Sequence, residues 1–164
     1  MFGLELEPSK TKLVEFGRFS QRHAKERGRK QETIYFLGFT HYCTRNRKGN
    51  YEVGRKTEKS RLRRSLAKLK EKIASVQHWS LKDQVKSINE ILRGHYGYYG
   101  LGGNMGALQK VHRKTEIMWR SSLGKRCWKG KVYWEEFNKL KKVFPLQRPK
   151  LRIPFAQMQS YALL

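Results

Sequence analysis

The sequence predicts an α+β, mainly α fold. Short N-terminal strands and a β-hairpin come first, then a three-helix bundle, then a short fourth helix and a proline-rich tail. Two features of pattern point there. Before Thr57 the apolar residues sit in short β-branched and aromatic runs broken by turn residues. From Thr57 the apolar period lengthens from two to about 3.6. Composition adds a third. Aromatics make up 12% of a chain that is only 38% hydrophobic, which describes a folded core under a very polar surface. At 164 residues this is one domain, or one compact domain with a small appendage.

Residues 1–8 open on alternating apolar residues with no cap or turn before them, as if cut into. Thr11 to Phe16 reads as a strand ended by Gly17. Arg18 to Glu32, dense in Arg and Lys and holding Gly28, reads as a flexible basic loop. Thr33 to Tyr42 is the next candidate strand, rich in β-branched and aromatic side chains. Arg45 to Asn50 is a turn signal, and Tyr51 to Arg55 after it pairs with residues 39–44 as a hairpin.

Leu62, Leu66, Leu69, Ile73 and Val76 then fall on one helical face. Thr57 or Ser60 is placed to cap that helix. Its other face carries Arg61, Arg63, Arg64, Lys68, Lys70 and Lys72 with few acids between them, which favours a phosphate-facing surface over a merely solvated one. Ser80 caps a second helix, with Asp83 near its positive end. Leu81, Val85, Ile88 and Leu92 form its inner face, and Gly94 ends it.

Leu92-Arg93-Gly94-His95-Tyr96-Gly97-Tyr98-Tyr99-Gly100 then reads as a turn. Its glycines permit close approach, and its tyrosines either cap the core or offer faces to bases and sugars. Asn104 caps a third helix, Met105 to about Leu123, with Leu108, Val111, Met118 and Trp119 inward and Gly124 at its end. Arg126 to Lys131 is a basic turn with Cys127 and Trp128. Trp134 to Val143 is the fourth helix, and Pro145, Pro149 and Pro154 keep the tail from being helical.

Charge narrows the function. Thirty-seven Lys and Arg stand against 13 Asp and Glu, a formal +24. A polyanion relieves such self-repulsion, and neutralised phosphates release counterions. A membrane surface would want one basic amphipathic helix with a bulky apolar face. Here the cations are spread from Lys10 to Arg152, so nucleic acid is the expected partner. Two distant cysteines, Cys43 and Cys127, form no metal or disulfide pattern and suit a reducing, cytoplasmic setting. The start has no signal-peptide pattern, and no apolar run approaches transmembrane length.

Enzyme chemistry is poorly supported. Asp83 is the only aspartate, whereas two-metal catalysis needs clustered carboxylates. Glu135 and Glu136 are explained by the start of their helix. The five histidines show no zinc spacing, and neither a nucleophile elbow nor a phosphate loop is present.

Three stretches resemble bacterial group II intron reverse transcriptases. Gly3-Leu4-Glu5-Leu6-Glu7-Pro8-Ser9-Lys10-Thr11-Lys12 is similar to "GLxLxPxKTK" at the end of that family's palm. Phe36-Leu37-Gly38-Phe39 matches its "FLGF" strand. The glycine-tyrosine stretch resembles "LRGWxNYYG" of its thumb and maturase region, with His95 in place of Trp and Gly97 in place of Asn.

The resemblance implies three regions: 1–56 as the end of the palm with strands and basic loop, 57–124 as a three-helix thumb or maturase domain, and 125–164 as a short X-like region. It implies partners too, namely intron RNA and the RNA/DNA template–primer duplex, with the remainder of the reverse transcriptase as a further one; no membrane is among them. The family's catalytic aspartates lie upstream of these motifs. The expectation is therefore a fragment or truncated frame that is not itself an enzyme and carries no cofactor, Mg2+ belonging to the catalytic palm. The candidate nucleic-acid-binding residues are Lys10, Lys12, Arg55, Lys56, Arg61, Arg64, Lys68, Arg93, His95, Tyr96, Tyr99, Arg113 and Lys114. The alternative is a stand-alone basic RNA- or DNA-binding protein of unrelated role.

Overall fold

The computed structural model describes residues 7, 9, 11–126, 130–155, 157 and 158. It is α+β and mainly helical, with a three-stranded antiparallel sheet followed by helices. The chain divides into two units, Met1–Arg55 and Lys56–Leu164.

The first unit holds helix α1 (Ser20–Glu26) and strands β1 (Ile34–Phe36), β2 (Phe39–Arg45) and β3 (Tyr51–Thr57), the last running on to Thr57; the sheet order is β1-β2-β3. The β2–β3 hairpin is the expected one. Asn46 shapes its turn, its side-chain oxygen accepting from the Lys48 and Asn50 backbone N–H groups at 2.9 and 3.0 Å. The predicted strand Thr33–Tyr42 is instead two strands, β1 and β2, paired from Ile34↔His41 to Phe36↔Phe39. Leu37 and Gly38 form the turn between them with φ of 48° and 77°, the doubly left-handed pattern of a tight hairpin.

Two expectations for this unit fail. Residues 11–16 are not a strand. The Glu15 N–H donates to a Glu32 carboxylate oxygen at 3.1 Å rather than to a ladder. Arg18–Glu32 is not a loop throughout, because α1 forms within it. Gln21, Arg22, Ala24, Lys25 and Glu26 are good helix formers, uninterrupted by glycine until Gly28, where φ is 62°.

The second unit holds α2 (Lys59–Ser75), α3 (Leu81–Tyr99), α4 (Met105–Gly124) and α5 (Trp134–Val143). The predicted apolar faces form its core. Leu69, Ile73, Ile88, Leu92, Leu108, Val111, Trp119 and Phe137 are buried together, Leu62 and Leu66 packing at the margin. Ser80 caps α3 as expected, its hydroxyl accepting from the Asp83 N–H at 3.2 Å. At α2 the N-cap is Glu58, and neither Thr57 nor Ser60 caps the helix. Asn104 stands at the N-cap of α4 but makes no side-chain cap. Its carboxamide oxygen accepts from the Thr57 N–H at 2.8 Å, and its NH2 donates to Thr57 Oγ1 and to the Tyr99 carbonyl, both at 2.8 Å. A second buried amide, Gln84, accepts from Trp119 Nε1 at 2.9 Å and donates to the carbonyls of Gln77 and Trp79.

The largest correction concerns the glycine-tyrosine stretch. It is not a turn: α3 continues through Gly94 and Gly97 to Tyr99. Neither glycine is in a left-handed conformation, and packing on the inner face outweighs their weak helix propensity. Gly100 is different. A Cβ there would lie 2.3 Å from the Tyr96 carbonyl oxygen and 3.0 Å from the Arg152 nitrogen. The tail runs directly against it, with Arg152 and Ile153 N–H donating to the Gly100 carbonyl at 2.6 and 3.1 Å and Gly102 N–H returning to Ile153 at 2.9 Å.

These roles separate by substitution. Around Gly94 nothing lies within 4 Å of a Cβ, so Gly94→Ala raises stability in urea by about 0.5–1 kcal/mol. Gly100→Ala lowers it by about 1–3 kcal/mol through overpacking. Equal effects at the two positions would refute this division.

Candidate nucleic-acid interface

Arg61, Arg64 and Lys68 stand at i, i+3 and i+7 on α2 and share one strip of its surface. All three are exposed, and among the described residues none is paired with a carboxylate. Lys72 prolongs the strip, its ammonium 5.5 Å from the ring centre of the half-exposed Trp79.

Because α3 runs on past Gly94, the residues of the glycine-tyrosine stretch are sorted by helical geometry. His95 and Tyr96 face inward at 8% and 4% exposure, Tyr99 is half-buried, and Tyr98 is 56% exposed. The rings form a short series from core to surface: His95 and Tyr99 are 4.7 Å apart, and Tyr99 and Tyr98 are 4.7 Å apart edge to face. Burial raises the proton affinity of the Tyr99 phenol, Tyr98 and Glu58 add to the rise, and the Arg61 and Arg64 charges oppose it. Asn104 holds both the Thr57 N–H, just before α2, and the Tyr99 carbonyl, at the end of α3, so the two helix ends share a corner. Guanidinium forks there match phosphate geometry, and tyrosine faces suit a sugar or base.

Lys10 lies outside the described residues. Lys12 is tied to Glu32 at 2.9 Å. Arg55 is half-buried at the end of the first unit, and Lys56 is exposed at the start of the second. Arg93 is exposed, but about a third of the way round α3 from Tyr99. Arg113 and Lys114 are exposed on the outer face of α4. His95 and Tyr96, also among the expected contact residues, lie buried in the core. Tyr96 OH lies 3.4 Å from His112 Nδ1, and His112 in turn faces Glu116, which pairs with Lys141 at 2.6 Å.

Of the three tyrosines that the sequence offers either to the core or to bases, Tyr98 is the exposed one. Had the helix been extended past Gly94, the i, i+1, i+4 spacing of residues 95, 96 and 99 would have turned Tyr98 outward. Among the described residues no group of three or more His, Cys, Asp or Glu is gathered in metal-binding geometry, and no helix is long and apolar enough to cross a membrane. The chain matches no protein-family model, no curated protein and no solved structure.

The buried imidazole gives a pH test. His95 Nε2 has no hydrogen-bond partner among the described residues, and burial pushes the ring's pKa down to about 4. Between about 6.5 and about 4 the unfolded chain takes up a proton that the folded chain refuses. Stability from this group is therefore full above about 6.5 and declines as pH falls. His95→Phe removes that term and the orphaned nitrogen. In paired melting curves its advantage over the parent protein widens as pH drops from about 7 to about 4. A constant difference across that range would contradict the assignment.

Proposed function

We propose that this chain is the RNA-binding thumb and maturase module of a group II intron-encoded reverse transcriptase, gripping intron RNA and the template–primer duplex. The observation that carries the binding surface is the corner where Arg61 and Arg64 of α2 stand beside Tyr99 and the exposed Tyr98 of α3. A formal +24 supports a polyanionic partner. The three motif resemblances support the narrower family reading. On this reading the cations hold phosphates along the backbone and carry little base specificity. Polymerase chemistry and its Mg2+ belong to catalytic residues that this chain does not contain.

Salt dependence of RNA binding tests the surface. With about six phosphates covered, log K falls against log salt with a slope near about −5. Replacing Arg61, Arg64 and Lys68 together by Gln makes the slope shallower by about 2–3. A slope that the triple variant leaves unchanged would remove this strip from the interface. The family reading is tested by competition at fixed salt between a group II intron RNA and an unrelated structured RNA of equal length. A preference for the intron supports it, and equal affinity favours a stand-alone basic nucleic-acid-binding protein.

A further inference from the structure

The first unit carries a basic groove of about 700 Å³ that none of the candidate binding residues above lines. Arg18, Arg22 and Lys25 stand at i, i+4 and i+7 along α1 and the turn before it, so they share one side. Arg29, beyond α1, and Arg45, at the end of β2, complete the wall. Among the described residues no carboxylate lines the groove. Glu26 reaches Arg22 at 3.4 Å, but both side chains are more than 60% exposed, so that pair is weak and easily exchanged.

Set among these cations is Phe19, 55% exposed. An apolar ring left open beside five cations is costly to hydrate and is not explained by packing. The Arg22 guanidinium lies 5.4 Å from its centroid, and the His23 ring stacks at 6.4 Å with a 27° interplanar angle. His23 is in turn bound to Glu15, which also holds Arg27, so the platform is braced from behind. The Ser20 hydroxyl donates to the Gly17 carbonyl at 2.8 Å and accepts from Gln31 Nε2 at 2.9 Å, fixing the start of α1.

We propose that this groove is a second nucleic-acid site, one that takes a single strand, with a base stacked on Phe19 and the flanking phosphates on Arg18, Arg22, Lys25, Arg29 and Arg45. Cations that track a backbone, interrupted by an open aromatic face, are the recurring chemistry of single-strand binding. A duplex keeps its bases stacked on one another and has no face to offer Phe19. The site extends the nucleic-acid reading to Met1–Arg55 and does not depend on the strip along α2.

The experiment uses the full chain with 12-nucleotide RNA and DNA single strands carrying 2-aminopurine, and with an RNA duplex. Stacking on Phe19 quenches the fluorophore. Phe19→Leu abolishes most of that quenching and weakens single-strand binding by about tenfold, leaving duplex affinity within about twofold. Phe19→Trp retains both quenching and affinity, which separates loss of the ring from loss of fold. The RNA and DNA arms report whether the 2′-hydroxyl contributes. Phe19→Leu behaving like the parent protein on single strands, while duplex binding keeps its dependence on Arg61, Arg64 and Lys68, overturns this site alone. Binding to neither strand nor duplex overturns the nucleic-acid reading as well. Phe19-dependent binding to phosphatidylserine vesicles, with no Phe19 dependence on single strands, overturns it in favour of a lipid surface.

Discussion

The second unit depends on one buried carboxamide. Asn104 is 1% exposed and bridges the backbone entering α2 to the carbonyl at the end of α3. Each bond is worth only about 1 kcal/mol net, but losing the amide would strand several buried polar groups at once. The geometric consequence is larger than the energetic one. Thr57 is four residues before Arg61, and Tyr99 is five residues before Asn104. Fixing Thr57 and Tyr99 to the same side chain fixes the two halves of the cationic corner relative to each other. The candidate interface is therefore positioned from the interior, by a residue that cannot touch a ligand.

Gln84 plays the same part at the opposite end. Its amide joins the α2–α3 turn to Trp119 of α4. Asn89 adds a third such clamp, accepting from the Gln147 N–H at 2.7 Å and donating to the Pro145 carbonyl at 3.1 Å. Apolar burial supplies the cohesion of the bundle, but it is non-directional. These amides select one arrangement of the helices and tail from the many that an apolar interior would tolerate.

Much of the helical unit was legible in the sequence, because period and caps are local. The span Trp134–Val143, the Ser80 cap and the inward faces of three helices follow from spacing alone. What was misread turns on non-local packing. Gly94 reads as a helix stop unless one knows that Leu92, His95 and Tyr96 beyond it have a core to enter. Asn104 reads as a cap because its bond to Thr57 spans 47 residues. The strand predicted at Thr11–Phe16 has strand-like residues but finds no ladder partner. In the basic stretch before the sheet, the abundance of charge hid good helix formers. Of the candidate corner, the charged strip was visible from periodicity; the inward turn of His95 and Tyr96, and the outward turn of Tyr98, required the helix to continue.

The strap across Gly100 also bears on the order in which the molecule is made. Leu101 bridges Ile153 in parallel, and the Gly100 carbonyl takes both its N–H partners from Arg152 and Ile153. Those donors leave the ribosome about fifty residues after their acceptor, a delay of about 3–10 s at ordinary rates of synthesis. Until they arrive, the α3–α4 connection exposes an unpaired carbonyl and the crevice that only glycine leaves open. The α3–α4 connection is thus completed late, after all the helices of the second unit have been synthesised.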